Sequence, residues 1–237
     1  MDTKHPQTLL KEHLPLIGVL IGVLIVLASM GVYTNWDAET EFSAAQSIIT
    51  KGFPYVASGW MIDQAPLAFY MTAPVLHLFG NNYINGVNFV TALGLGCVVL
   101  IYILGTILYG KKSGLTAAAL FGLVPWQVFM SRIYLIDVPY LFLSLIFVIF
   151  GVLAIKQNSD RYLALCGFFF ALAFLTKLFS IFLMLPLLLM AGLKGKETGF
   201  TLTPKRALIF LIPTIILQTI WYAGFANQHF LGVYFHP

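Results

Sequence analysis

Uncharged apolar runs dominate this chain, and they limit its fold more than anything else in it. Leu14–Tyr33 is 20 residues without an Asp, Glu, Lys or Arg, and at about 1.5 Å per residue such a helix crosses a bilayer. Hydrophobic residues make up 59% of the 237 and charged residues 9%, against roughly 25% in a soluble domain. So few charges cannot cover a water-facing surface. The expected fold is all-α: a polytopic transmembrane helical bundle whose spans satisfy their own backbones. The net charge of +4 does not indicate nucleic acid, because the cations sit in short loops between apolar runs. Cys97 and Cys166 lie inside such runs and read as packing residues, without disulfide or metal-ligand spacing.

Seven spans are expected, at Leu14–Tyr33, Ile84–Tyr109, Leu115–Met130, Val138–Ile155, Tyr162–Thr176, Leu178–Leu193 and Ala207–Ala223. The chain divides into a cytoplasmic start (1–13), the first span as an uncleaved signal-anchor (14–33), an outer loop (34–83), six further spans (84–223) and an outer segment (224–237). Pro66–Gly80 would reach only about 22 Å as a helix and carries Pro74 and His77, so it is read as lying at the interface. With the amino terminus inside, Lys4, Lys11, Lys111, Lys112, Lys156, Arg161, Lys194, Lys196, Lys205 and Arg206 are internal, ten of the 13 cations. Were Pro66–Gly80 to cross, every later loop would flip and the rule that cations stay inside would be broken. Trp36, Trp60 and Trp221 then form an outer aromatic belt. Gly18 and Gly22 make a GxxxG that lets helices approach closely.

This topology gathers charge on the outer face. Asp37, Glu39, Glu41, Asp63 and Asp137 meet Lys51, Arg132 and Lys177 there, and ionisable groups at span ends are costly unless paired or functional. Asp37 is expected to open an amphipathic helix, either as its N-cap or as a functional acid, and the two roles are compatible. At 100° per residue Glu41 falls on the apolar face with Phe42 and Ala45, whereas Glu39 falls on the solvated one. Arg132 and Asp137 in SRIYLIDVP are either site residues or a local ion pair. Lys177 either serves the site or snorkels to the interface. His77 and His229 read as interfacial hydrogen-bonding residues. HExxH, GxSxG, Walker and dinucleotide motifs are absent, which leaves proteolysis, nucleotide hydrolysis and hydride transfer without support.

The order of these features resembles the GT-C glycosyltransferases, in particular the protein O-mannosyltransferases and lipid A aminoarabinose transferases. The resemblance rests on an outward Asp opening a helix, AAQSIITKGFPY, a Pro-led apolar helix ending in HLFG, then YGKKSG, SRIYLIDVP, LAFLTKLFSIFLMLPLL and IWYAGFANQHF. It covers about Leu14 to Phe230. The chain departs from the family in having Ala38 after Asp37 where Glu is usual, and Gln64-Ala65-Pro66 where a cation usually precedes two prolines. It is also less than half the family's usual length, so it is expected to correspond to the amino-terminal module, with a partner subunit as a source of the carboxy-terminal half.

The resemblance implies sugar transfer from a polyprenyl-phosphate sugar to a protein, lipid or glycan hydroxyl on the outer face, with the prokaryotic plasma membrane favoured over the endoplasmic reticulum. Asp37 is the expected general base, with Asp137 orienting Arg132 or the acceptor. Arg132 and Lys177 face the leaving phosphate. Glu39, Glu41, Asp63 and Gln64 complete the substrate site. No organic cofactor is implied. A divalent ion held by Glu41 and Asp63 is an alternative to the cation missing at Gln64. Two rivals remain: a noncatalytic subunit that holds a lipid carrier or a partner enzyme, and a transporter, which predicts charges spread through the spans.

Overall fold

The computed structural model describes residues 6–62 and 64–226, with side chains from 14 to 223. Asp63, His229 and the segment from 227 onward lie outside the described residues. The described chain is all-α, with ten α-helices and two short helices of other types. They are α1 (Pro6–Ser29), α2 (Trp36–Lys51), α3 (Leu67–Phe79), α4 (Tyr83–Tyr109), α5 (Lys111–Leu123), α6 (Pro125–Met130), α7 (Asp137–Gln157), α8 (Asp160–Phe174), α9 (Met184–Thr198) and α10 (Pro204–Thr219). A 3₁₀ helix, Leu178–Leu183, leads into α9, and a π-helix, Ile220–Ala226, continues α10. Four helical stretches are long and apolar enough to cross a membrane: Tyr83–Tyr109, Asp137–Gln157, Leu178–Thr198 and Pro204–Ala223. Leu14–Ser29 and Leu67–Phe79 are shorter apolar helices.

Contacts sort the helix ends into two groups. At one end of the bundle the Tyr33 N–H donates to the Arg132 carbonyl at 2.8 Å, and the Tyr83 hydroxyl donates to the Tyr33 carbonyl at 2.8 Å. There, too, the Leu67 N–H donates to the Leu175 carbonyl at 3.0 Å, and Tyr70 meets Trp221 edge-on at 5.7 Å. At the other end Lys156 Nζ donates to the Ile107 carbonyl at 2.6 Å. Arg206 there reaches Asp160 and Asn158, each at 2.7 Å. The start of α3 sits on Leu175, and just past its end Asn81 accepts from Gln46 of α2 at 2.9 Å. Both ends of α3 therefore belong to the first group, and α2 and α3 lie across that face. Their core is Phe42, Phe69, Leu76, Ile133 and Tyr134.

Several span limits differ from those read in the sequence, each for a local reason. The first helix stops at Ser29, not Tyr33, because Tyr33 pairs as an extended bridge with Ile133. Leu115–Met130 is not one helix. Pro125 lacks an N–H and forces Val124 into an extended conformation (ψ 129°), which splits the stretch into α5 and α6. The sixth span begins as a 3₁₀ turn, and its α-helix runs on to Thr198. Trp221 is buried against Tyr70 and does not join an exposed belt, while Trp36, Trp60 and Trp126 are exposed. The Gly18–Gly22 pair faces open space. Close helix approach occurs instead at Gly105 of α4, where a Cβ would stand 2.8 Å from the Gly114 Cα of α5.

Candidate active site

The site is built on α2. Its N-cap is Asn35, whose side chain accepts from the Ala38 N–H at 2.7 Å, so Asp37 is not the cap. Asp37 lies exposed in the first turn with Glu39, where the helix N-terminus favours acids. Glu39 is solvated as expected and accepts from the Thr34 hydroxyl at 3.2 Å. One turn beyond Asp37, Glu41 is turned inward and only 5% exposed. Its Oε2 accepts from the Ile136 N–H at 2.9 Å. Burial pushes its carboxyl up to about 7, and the Asp137 and Asp37 charges act in the same direction. The Ile136 hydrogen bond and the Lys177 charge oppose the rise.

The segment that Glu41 holds is the α6–α7 connection, residues 131–136. Tyr134 is buried in it, donates its hydroxyl to Thr72 of α3 at 2.9 Å, and offers its N–H to the Tyr83 hydroxyl at 3.2 Å. Phe42 of α2 meets the Tyr83 and Tyr134 rings edge-on. Gly86 makes room for this cluster, since a Cβ there would come within 2.9 Å of the Phe42 ring. Sequence reasoning passed over Tyr83, Tyr134 and Thr72. Nothing in their local pattern separates them from other polar residues in apolar runs.

Asp137 begins α7 directly after this segment, and its Oδ1 accepts from Lys177 Nζ at 2.7 Å. Their side chains are 38% and 27% exposed, so the pair is neither in bulk water nor sealed. Lys177 is thus paired, not simply snorkelling. Its position is set where α8 ends and the 3₁₀ turn begins, its N–H on the Ala173 carbonyl at 2.9 Å. The local Arg132–Asp137 ion pair does not form. Arg132 points the other way, donating from Nε to the Gly31 carbonyl at 3.3 Å and from a terminal nitrogen to the Met30 carbonyl at 3.1 Å. A cation on those carbonyls caps the negative end of α1.

The remaining site candidates are placed less centrally. Gln64 is exposed in the connection before α3. Lys51 stands over the Tyr55 ring at 5.2 Å. His77 is exposed on α3. Among the described residues no three His, Cys, Asp or Glu side chains form a metal-binding group. Glu41 is committed to a backbone amide, and Asp63, its expected co-ligand, lies outside the described residues. The structure brings Glu41, Asp137 and Lys177 together, places Asp37 one turn from Glu41 on α2, and gives Arg132 to the end of α1.

The described chain is a multi-pass helical membrane protein with acids and a paired cation gathered at one end of the bundle. Residues 63–222 match the family of dolichyl-phosphate-mannose-protein mannosyltransferases, and the chain, matched over more than half its length, belongs to that glycosyltransferase family. No curated protein matches it. The family match takes in Gln64, Arg132, Asp137 and Lys177, while Asp37, Glu39 and Glu41 precede it.

Proposed function

We propose that the chain transfers a sugar, mannose on the family's precedent, from a polyprenyl-phosphate donor to an acceptor hydroxyl, with Asp37 as general base. The acceptor oxygen attacks the anomeric carbon while Asp37 takes its proton, and the bond from that carbon to the phosphate oxygen breaks. The departing polyprenyl phosphate keeps the electron pair, and Lys177 takes up its charge. The observation that carries this reading is the Glu41–Ile136 hydrogen bond. It joins the helix of Asp37, which precedes the family match, to the Asp137–Lys177 pair inside it. Charged residues at the helix ends and not within the spans support a transferase over a transporter.

Seven crossings with the amino terminus inside, four of them by the long apolar helices and the rest by shorter ones, would place this face outward, and the cation distribution supports that orientation. A reporter inserted near Ser58 is then expected outside and one fused after Gly110 inside. Finding both on one side would remove this architecture and the outward site with it. For the chemistry, purified protein in detergent is expected to transfer labelled mannose from polyprenyl-phosphate mannose. Lys177→Ala should weaken donor binding by about tenfold, as loss of a charge-assisted contact does. Unchanged donor affinity in that variant would assign the phosphate to another group.

A further inference from the structure

Glu41 is the most unusual group in the fold that the transfer scheme leaves without a task. It is 5% exposed, and it accepts from the Ile136 amide, 95 residues away in sequence. As a mere pin it is a poor choice: a glutamine oxygen would accept the same N–H without burying a carboxylate. What a carboxylate adds once ionised, at pH above about 7, is a hydrogen bond roughly twice as strong as a neutral one, together with a field on its neighbours. Those neighbours are Asp37 on its own helix, Asp137 and Lys177 beyond the connection, and the Tyr134 hydroxyl. Ile136 directly precedes Asp137, so a shift of that amide moves the Asp137–Lys177 pair relative to α2.

We infer that Glu41 is a positioning residue for the transfer: its carboxylate, on the Ile136 amide, fixes the Asp137–Lys177 pair against the helix that carries Asp37. The inference rests on the transferase reading for its kinetic part, and on geometry alone for its structural part. Small displacements at a reacting centre cost far more in turnover than in binding.

Two measurements on the full chain in detergent test it. Amide hydrogen exchange reads the structural part: Glu41→Ala should speed exchange at residues 134–137 by about tenfold or more, with the interior of α7 still protected as a folding control. Exchange as slow as in the wild type would overturn the inference. Steady-state transfer reads the kinetic part: Glu41→Gln should lower kcat by about tenfold and leave donor KM within about twofold. Wild-type kcat in the Gln variant would reduce Glu41 to a pin and overturn the positioning role. If the wild type itself transfers no sugar, the transferase reading fails, and the exchange result still decides whether Glu41 holds the connection.

Discussion

Asp37→Asn is expected to cost about 100-fold or more in sugar transfer, on the usual worth of a positioned base, while lowering stability by no more than the roughly 0.3–1 kcal/mol of a first-turn acid. The structure makes this a cleaner experiment than the sequence alone would. An N-cap residue would complicate any substitution, but the cap here is Asn35, with its side chain on the Ala38 amide. Asp37 has no hydrogen-bond partner among the described residues and is exposed, so neither Asn nor Ala removes a contact that α2 depends on. Both variants should fold, and both should lose transfer from polyprenyl-phosphate mannose to a similar degree. An Asn variant with undiminished transfer would move the base elsewhere, with Asp137 the next acid to examine.

The second large effect concerns stability against pH. Glu41 has a carboxyl raised from 4.5 to about 7 by burial, so the folded state holds its proton where the unfolded state has released it. The sign follows: this contribution is fully present below pH 4.5 and is lost as pH rises through 7. A shift of that size corresponds to about 3 kcal/mol at roughly 1.4 kcal/mol per unit. Glu41→Gln carries no such charge. Its stability relative to the wild type should therefore grow by about 3 kcal/mol between pH 4.5 and pH 8, read as a widening gap between unfolding midpoints. Asp37 raises the Glu41 value, as does Asp137, while Lys177 lowers it, so Lys177→Ala should widen the gap further. Parallel pH profiles for wild type and Gln variant would mean that Glu41 stays ionised in the fold. Together with the expected fall in kcat, the prediction is a variant that is more stable and less active.

Much of this architecture was legible from charge and periodicity. The absence of charge from the apolar runs identified a helical membrane protein, and the 100° rotation per residue put Glu41 on the inward face of α2, where it lies. The cation count read Pro66–Gly80 as not crossing, and both ends of α3 meet residues at one end of the bundle. What failed were features decided by contacts distant in sequence. Tyr33 looked like the last residue of a span because nothing local announces a bridge to Ile133. Arg132 and Asp137, five residues apart, looked like natural partners, but the connection between them turns one to α1 and the other to Lys177. Pro125 was a readable break that the strength of the surrounding apolar run concealed. In the site, residue types were legible and pairings were not, because a pairing depends on which helix ends meet.

The pairings also impose an order on synthesis. Arg132 grips carbonyls 101 and 102 residues earlier, Glu41 an amide 95 residues later, and Lys177 an acid 40 residues before it. As the chain emerges from its amino terminus, the first acidic helix is made long before any of these partners exists. Arg132 and Ile136 arrive almost together, Arg132 tying down the chain just after α1 and the Ile136 amide taking Glu41 of the acidic helix. Asp137 follows at once, yet stays unpaired until α7 and α8 are complete and residue 177 has been added. The acid–base pair at the centre of the site is thus the last of these links to close, and a nascent chain displays its isolated carboxylate for the whole interval.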